Sequence, residues 1–258
     1  MRRDVTGCSR VLTVLVLFAL SVPVLAAAAG AGQDNDRGAV GIFPTSSVPY
    51  GRTYGDWMAA WQQWATSMPY TNHPLFDTAD PSTGQSGPVW FLGGKFCALG
   101  ETCGSNHVVR QITVPAGTAL FFPIFDVEVS AVEMGGGDAN NAAIKDINGL
   151  RQAAASWAAM ALNLSLEVDG VEVPHLQRRF HVQSSAFGFY LPKDDIFTAV
   201  GEGTFTEGYY FPGVDDGFYV MLEPLAPGRR HTIHFHAEFP GSPDNWVLDG
   251  TYHVHVQR

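Results

Sequence analysis

The chain has 258 residues, of which 46% are apolar and 12% aromatic, so its composition is that of a folded protein with a sizeable core. Its formal net charge at pH 7 is −10, from 15 Lys and Arg against 25 Asp and Glu. The sequence contains no basic patch, which excludes nucleic acid and anionic lipid from the partners that we expect.

The N-terminal segment has the pattern of a secretory signal peptide. Arg2, Arg3 and Arg10 come first, an apolar run occupies 11–25, and small residues follow it. The run is shorter than the ~20 residues that a membrane-spanning helix needs. We therefore predict a cleaved signal peptide over 1–29, a secreted or periplasmic location, and no integral membrane segment in the mature protein.

The remaining sequence predicts a flexible lead-in at 30–50 and a single β-rich domain at 51–258. The chain contains 28 Gly and 16 Pro, which favour many short strands and turns over long helices. We expect a mainly β fold, with a β-sandwich or jelly-roll architecture and two helices packed on it.

Two segments have helical patterns, at about 55–68 and 147–163. In the first, Trp57, Trp61 and Trp64 recur at helical spacing and share one face. Such a face is either an aromatic platform for a sugar or another flat ligand, or an anchor to the core of the domain. We favour the anchor, because an apolar helical stripe normally faces a core.

Two cysteines, Cys97 and Cys103, follow the predicted signal peptide. In an oxidising compartment, an even number of closely spaced cysteines predicts a disulfide that closes a small loop. A metal site built from cysteine and histidine is the alternative interpretation.

A strand predicted at 119–133 changes character along its length. Its even positions are Leu120, Phe122, Ile124, Asp126 and Glu128. Because alternate residues of a strand face the same side, one face turns from apolar to acidic. We interpret this as a strand that leaves the core at a rim, where the two carboxylates are candidate catalytic groups. The alternative is an ordinary solvated strand end.

Histidines are concentrated near the C-terminus in two His-x-His pairs, His234 with His236 and His253 with His255. Strand alternation puts both rings of each pair on one face. Imidazole is the commonest metal ligand among side chains and titrates near neutral pH.

If the two pairs form an antiparallel hairpin with Phe235 opposite Val254, all four histidines come together. That pairing sets His234 against His255 and His236 against His253, and it places Glu238 on the same face. Imidazoles at this spacing can converge on a divalent transition metal, either zinc, copper or iron. Glu238 is then a candidate ligand, orienting group or general base. The alternative is the polar outer face of a sheet.

Four segments resemble a group of exported bacterial proteins of unknown activity: YGDWMAAWQQWA, GQSGPVWFLGG, VPAGTALFFPI and PLAPGRRHTIHF. The resemblance extends over most of the chain after the signal peptide and implies export and a single β-rich domain. It transfers no activity and no catalytic residues. A shorter segment, IHFHAEF, resembles the His-x-His strand of α-class carbonic anhydrases. That family needs a third histidine on a later strand and much more chain beyond it, whereas this sequence stops at Arg258, so we do not assign the chain to it.

Two classes of function fit these features. The first is a metal-dependent hydrolase or oxidase that acts outside the cytoplasm through the histidine cluster. The second is a non-catalytic extracellular module that binds a carbohydrate or a cell-surface partner. Trp90 and Trp246 are the candidate ligand-binding aromatic residues, and a small molecule or a polysaccharide is the expected ligand.

Overall fold

The computed structural model describes residues 40–101, 106–240 and 246–258. These residues belong to one compact unit, Arg37–Arg258. The predicted signal peptide, residues 30–39 of the predicted lead-in, and Cys103 lie outside the described residues.

The described chain is mainly β, with ten strands and five α-helices. The strands are β1 (Val89–Phe91), β2 (Asn106–Val114), β3 (Ala119–Ser130), β4 (Leu162–Val168), β5 (Val171–Glu172), β6 (His181–Gln183), β7 (Phe187–Leu191), β8 (Gly208–Leu222), β9 (Arg230–Phe239) and β10 (Trp246–Val256). The helices are α1 (Tyr54–Thr66), α2 (Ala131–Met134), α3 (Ile147–Ala158), α4 (Leu176–Arg179) and α5 (Ile196–Val200). The mainly β class and the two predicted helices, now α1 and α3, are confirmed.

The strands form two mixed sheets of five strands each. The first sheet has the order β1-β3-β8-β6, and β7 also pairs with β8. The second has the order β2-β10-β9-β4-β5. The β1–β3 and β2–β10 pairs are parallel, and the other pairs are antiparallel.

One hydrophobic cluster takes buried side chains from both sheets. Its members include Leu120, Phe122, Val220, Ile233, Phe235 and Val254. The ring centroids of Phe122 and Phe235 are 5.3 Å apart, so the two sheets contact each other through aromatic side chains. Burial of each such side chain contributes about 1.5–3 kcal/mol, which makes this cluster a main source of stability.

Helix α1 covers the other face of the first sheet. It starts at a capping box in which Thr53 is the N-cap and Asp56 returns its carboxylate to the Thr53 N–H group. Trp57, Trp61 and Trp64 are 7%, 2% and 7% exposed and pack in one cluster with side chains of β3 and β8. The three tryptophans therefore anchor the helix and do not form an exposed platform.

Strand β3 carries a β-bulge in its middle. The register against β8 shifts by one residue between Pro123 and Phe125, so Ile124 has no opposite partner. Proline cannot donate to the ladder of a sheet, and within sheets it is confined to edges, strand starts and bulges. Pro123 is therefore the residue of the sequence that marks the bulge.

The bulge reverses the facing of the second half of β3. Phe122 lies in the cluster shared by the two sheets, and after the bulge Phe125 lies there. Asp126 and Glu128 consequently turn to the opposite face, where Asp126 contacts α1 through Gln62. The prediction that the two acids continue the face of Phe122 is wrong, because one inserted residue inverts the alternation.

Within the described ranges, no helix is long and apolar enough to cross a membrane. The longest helix, α1, has 13 residues, and its apolar side is occupied by contacts with the first sheet.

Candidate functional site

A cavity of about 510 Å³ lies beside the second half of β3. β1 pairs with β3 only over Ala119–Phe121, and no other described strand continues along that edge. The lining combines acidic and aromatic side chains. The acids are Asp126, Glu128, Glu133 and Glu202, and the aromatic residues are Phe96, Phe125, Trp157, Phe197, Phe239 and Trp246.

Three pieces of chain bring the four acids together. Asp126 and Glu128 come from β3, Glu133 comes from α2, and Glu202 lies just after α5. Ser130 caps α2, and its N–H group donates to the Glu133 carboxylate at 3.2 Å. The sequence reasoning missed Glu133, although the Ser-x-x-Glu spacing of a capping box was present.

Asp126 belongs to a buried hydrogen-bond network. The Gln62 amide donates to Asp126 at 2.8 Å, and the Tyr219 hydroxyl, which also bonds to Asp126, donates to Asp215 at 2.6 Å. A Cβ atom at Gly217, opposite Asp126, would lie 2.5 Å from the Phe125 carbonyl oxygen, so glycine makes this close approach possible. The sequence reasoning also missed Asp215. The available signal was an acid within an otherwise apolar strand, because a buried charge needs polar partners.

Burial sets the protonation of this network. It raises the pKa of Asp126 to about 6, against the hydrogen bonds of Tyr219 and Gln62, which favour the ionised form. Burial, with the nearby charge of Asp126, raises the pKa of Asp215 well above its usual range. Asp126 and Asp215 are therefore buried acids that influence each other. This differs from the alternative interpretation, in which Asp126 belongs to an ordinary solvated strand end.

The other three acids form a chain of hydrogen bonds in which Glu133 lies between Glu128 and Glu202. A hydrogen bond between two carboxyl groups requires a proton on one of them. Two such bonds therefore hold at least two protons on the three groups. Burial raises the pKa of Glu128 to about 8, and burial together with the Glu128 charge raises the pKa of Glu133 well above its usual range.

Glu202 lies at the mouth of the cavity. Much of the residue is exposed to solvent, whereas its carboxyl group contacts Glu133 inside. Desolvation of that carboxyl group and the charge of Glu133 raise the pKa of Glu202.

Glu128 is the acid with the fewest donors around it. Both of its carboxylate oxygens are buried, and among the described residues the carboxyl group of Glu133 is the donor that they contact. A buried carboxyl group with so few donors favours its protonated form. Glu128 thus presents an acid to the cavity.

Asp126 and Glu128 form a pair with opposite protonation near neutral pH. At about pH 7, a group with a pKa of about 6 is mostly ionised and one with a pKa of about 8 is mostly protonated. As alternate residues of one strand, they have Cα atoms roughly 6.5–7 Å apart. Two carboxyl groups whose environments separate their pKa values have the properties of a general base and a general acid.

The histidine face differs in register from the prediction. β9 and β10 are antiparallel neighbours as expected, but Phe235 lies opposite Gly250 and not Val254. The four histidines do lie on one face, since Ile233 and Val254 are fully buried on the other. Registers that differ by an even number of residues keep the same faces, so the hydrophobic alternation could not choose between them.

The shifted register separates the two His-x-His pairs. His234 now lies opposite Thr251 and His236 opposite Asp249, whereas His253 lies opposite Thr232 and His255 opposite Arg230. The predicted contacts between His234 and His255 and between His236 and His253 are therefore wrong. Glu238 lies opposite Val247, not Thr251.

Asp249 is the centre of the histidine face. Its carboxylate accepts hydrogen bonds from His107 at 2.9 Å and from His234 and His236 at 3.2 Å each. Partial burial acts to raise the pKa of Asp249, but these three hydrogen bonds outweigh it and the pKa is lowered. The sequence reasoning missed His107 because its strand, β2, pairs with β10 in parallel and is distant in sequence.

Glu238 extends this cluster on the solvent side. Its carboxylate accepts a hydrogen bond from His236 at 3.3 Å, and hydrogen bonds from Asn163 and His236 lower the pKa of Glu238. Glu238 lies outside the lining of the cavity that contains Asp126 and Glu128, so the three predicted catalytic acids do not share one site.

The histidine face lacks the geometry of a formed metal centre. Among the residues that the structure describes, no group of three or more His, Cys, Asp or Glu side chains is arranged to hold a metal ion. The imidazoles around Asp249 are occupied by hydrogen bonds with its carboxylate. His253 and His255 are exposed, and neither joins this cluster.

The two predicted ligand-binding tryptophans lie in different places. Trp246 lines the cavity and packs edge-to-face on Phe125, with ring centroids 5.9 Å apart. Trp90 borders a separate hollow with Gln111, and its indole N–H group is buried without a partner in the described chain.

Cys97 also lines the cavity and is disulfide-bonded. Its predicted partner, Cys103, lies outside the described residues, so the pairing of the two stays a prediction. A disulfide at Cys97 leaves its sulfur without a free thiolate to ligate a metal.

The cavity and the histidine face are thus two separate polar sites, one mostly buried and one on an outer sheet face. Their chemistry is the basis for assigning a function to this chain. Comparison of the chain with protein-family models, with curated proteins and with solved structures gave no significant match.

Proposed function

We propose that the protein is an exported hydrolase that cleaves glycosidic bonds by general acid–base catalysis in the cavity. One observation carries the proposal: Asp126 and Glu128 sit on the same face of one strand and line the cavity, and burial raises the pKa of Glu128 above that of Asp126. Glycoside hydrolysis uses two carboxyl groups, one protonated and one ionised.

In the proposed reaction, protonated Glu128 donates its proton to the glycosidic oxygen as the bond to the anomeric carbon breaks. Ionised Asp126 takes a proton from the water molecule whose oxygen bonds to that carbon. The products are two sugars with free hydroxyl groups, and one water molecule is consumed. Gln62 and Tyr219 hold Asp126 in place through their hydrogen bonds.

The walls of the cavity support a carbohydrate as the ligand. Trp157 and Trp246 provide flat apolar surfaces on which a sugar ring can stack, and the acids provide hydrogen-bond partners for hydroxyl groups. A volume of about 510 Å³ is within the usual range for a small-molecule site.

The proposal includes export and the architecture predicted from the sequence. The signal-peptide pattern of residues 1–29 supports a secreted or periplasmic location. The hydrophobic cluster shared by the two sheets supports a β-sandwich, of which the jelly-roll is one form.

The test is hydrolysis of a panel of oligosaccharides by the mature protein. We expect Glu128→Gln and Asp126→Asn each to lower kcat by about 10²- to 10⁴-fold, the range for loss of a general acid or base. Activity should be greatest between about pH 6 and 8, since it needs Asp126 ionised and Glu128 protonated. Glu238→Gln, the matched control on the histidine face, should keep the wild-type rate.

Equal rates for wild type and Glu128→Gln would contradict the proposal. Binding of oligosaccharides without turnover, lost in Trp246→Ala and kept in Trp90→Ala, would instead support the non-catalytic binding module. Trp90 serves as the control because it borders a different hollow.

A second candidate function is transition-metal binding at the histidine face, as in a metal-dependent hydrolase or oxidase. The observation that favours it is the gathering of His107, His234 and His236 around Asp249, since imidazole and carboxylate are ligands for zinc, copper and iron. The metal would have to replace the hydrogen bonds of Asp249.

Metal analysis of the purified protein and thermal shifts with Zn²⁺ or Cu²⁺ test this candidate. The double variant His234→Ala/His236→Ala should lose binding, and His253→Gln/His255→Gln should keep it. Absence of both stoichiometric metal and a thermal shift would eliminate the candidate.

A further inference from the structure

An exposed aromatic patch lies on the strand pair formed by β7 and the first part of β8. Tyr209 and Phe211 are 72% and 63% exposed, and Tyr190 is 37% exposed. Tyr190 lies directly opposite Tyr209, and Phe211 follows Tyr209 by two residues along β8. Because opposite residues and alternate residues of a strand share a face, the three rings form one patch on the outer side of the strand pair.

The rings of the aromatic patch are oriented by their neighbours. A Cβ atom at Gly188 would lie 2.6 Å from the Cε1 atom of Tyr209, so glycine leaves the room in which the Tyr209 ring rests against the backbone of β7. The Tyr190 hydroxyl donates to the Glu207 carboxylate at 2.6 Å, which orients the second ring. A surface that is formed in advance loses little entropy when a ligand binds.

The rings of the aromatic patch do not serve the core. The inner side of the same strand pair carries Phe189, which is 1% exposed and packs in a hydrophobic cluster with Phe197 and Phe205. Burial of apolar surface is what stabilises the fold, and the outer rings bury little of theirs. A contiguous patch of exposed apolar side chains is typical of an interaction site.

The size and charge of the aromatic patch limit the partners that it fits. An aromatic side chain has roughly 150–250 Å² of surface to bury, so the three rings offer roughly 250–450 Å². A stable complex with a second copy of the chain or with another protein buries about 800 Å² on each side. Neither β7 nor residues 208–213 contain a charged residue, so the patch offers no cation to an anionic lipid surface.

A sugar polymer matches this surface. A sugar ring has an apolar face of C–H groups and an edge of hydroxyl groups, so it stacks on an aromatic ring while its hydroxyl groups bond to water or to tyrosine. As alternate residues of a strand, Tyr209 and Phe211 have Cα atoms roughly 6.5–7 Å apart, so a ligand that covers both rings is longer than one sugar unit. An uncharged polysaccharide meets both conditions.

We propose that Tyr190, Tyr209 and Phe211 form a binding platform for an uncharged polysaccharide, separate from the cavity. The part of this inference that names the polymer as the substrate rests on the proposed function. The platform is one strand pair away from the proposed site, since the ring centroid of Phe189 lies 6.0 Å from that of Phe197, which lines the cavity. Binding there raises the local concentration of glycosidic bonds near the acids.

Depletion of the mature protein from solution by insoluble polysaccharides tests the platform. The probes are cellulose, chitin and insoluble mannan, and we expect wild type to bind at least one of them. Tyr209→Ala/Phe211→Ala should weaken this binding by at least about tenfold, because two stacking contacts are lost. The double variant should hydrolyse a soluble trisaccharide at the wild-type rate and keep the wild-type melting temperature, since both rings are exposed.

Three further variants control for a general loss of apolar surface. Tyr209→Phe/Phe211→Tyr keeps both rings and should keep binding. Val109→Ala removes an apolar side chain that is 55% exposed on β2, in the other sheet, and should also keep binding. Phe211→Ala repeats the test with one ring removed and should weaken binding less than the double variant does.

The outcomes separate the platform from the hydrolase. Equal binding by wild type and Tyr209→Ala/Phe211→Ala, or no binding of any probe, overturns the platform, and hydrolysis of soluble oligosaccharides then leaves the hydrolase. Binding that needs the rings, without hydrolysis of any oligosaccharide, keeps the platform and overturns the hydrolase. Self-association in sedimentation, or binding to phosphatidylcholine vesicles, that the double variant loses overturns the platform, because the rings then contact a second copy or a membrane.

Discussion

The cavity and the histidine face use similar groups under opposite conditions. In the cavity, acids lie next to acids, so burial and mutual repulsion raise the pKa values of Glu128 and Glu133. On the histidine face, an acid lies among imidazoles, and their hydrogen bonds lower the pKa of Asp249. The first arrangement favours protonated carboxyl groups, whereas the second favours an ionised one.

We expect opposite effects of pH on the stability that the two regions provide, and the larger effect belongs to the cavity. The folded state holds the proton of Asp215 to a higher pH than the unfolded chain does. The stability that this proton provides is complete below the unfolded pKa of about 4 and is lost as the pH rises above it. Asp215→Asn should therefore raise the free energy of unfolding at pH 8, with little change near pH 4.

Chemical denaturation at both pH values measures this effect. Asp216→Asn is the matched control, because its carboxylate accepts bonds from His181 and Gln183 on the other face of β8. It should lower stability at pH 8. If Asp215→Asn is destabilised at both pH values, the buried acid is ionised and paired, and the two regions do not differ in the way that we describe.

The smaller effect belongs to the histidine face. The folded pKa of Asp249 is lowered, so the stability from this group is present above its unfolded pKa of about 4 and is lost as the pH falls below it. The Asp249 side chain is 24% exposed, which limits the effect. Asp249→Asn should lower the free energy of unfolding by about 0.5 kcal/mol at pH 6.

A double-mutant cycle with His107→Gln measures the interaction between His107 and Asp249 directly. In the His107→Gln background the cost of Asp249→Asn should shrink, because one of the three bonds to Asp249 is already absent. Additive effects of the two substitutions would show that His107 and Asp249 do not interact in solution.

The sequence predicted the class of fold and the faces of its strands better than it predicted the sites. Hydrophobic alternation correctly placed Ile233 and Val254 in the core, and the tryptophan spacing located α1. Alternation has a period of two, however, so it could not fix the register of β9 against β10 or detect the bulge after Pro123.

The sites depended on contacts between distant residues. Glu202 and Asp215 join Glu128 through the packing of the chain, and no local pattern around them predicts that meeting. Likewise, His107 reaches Asp249 only because two strands pair in parallel. Asp126 and Glu128 were identified as candidates, but their burial followed from a bulge that the alternation did not predict.

The position of the catalytic candidates on β3 divides the cavity into a rigid and an adaptable side. Asp126 and Glu128 sit on a strand that β8 holds along its length, so their spacing is a property of the backbone. Glu202 belongs to the connection between α5 and β8. Selectivity for ligand size should therefore evolve through changes at 201–207, without disturbing the spacing of Asp126 and Glu128.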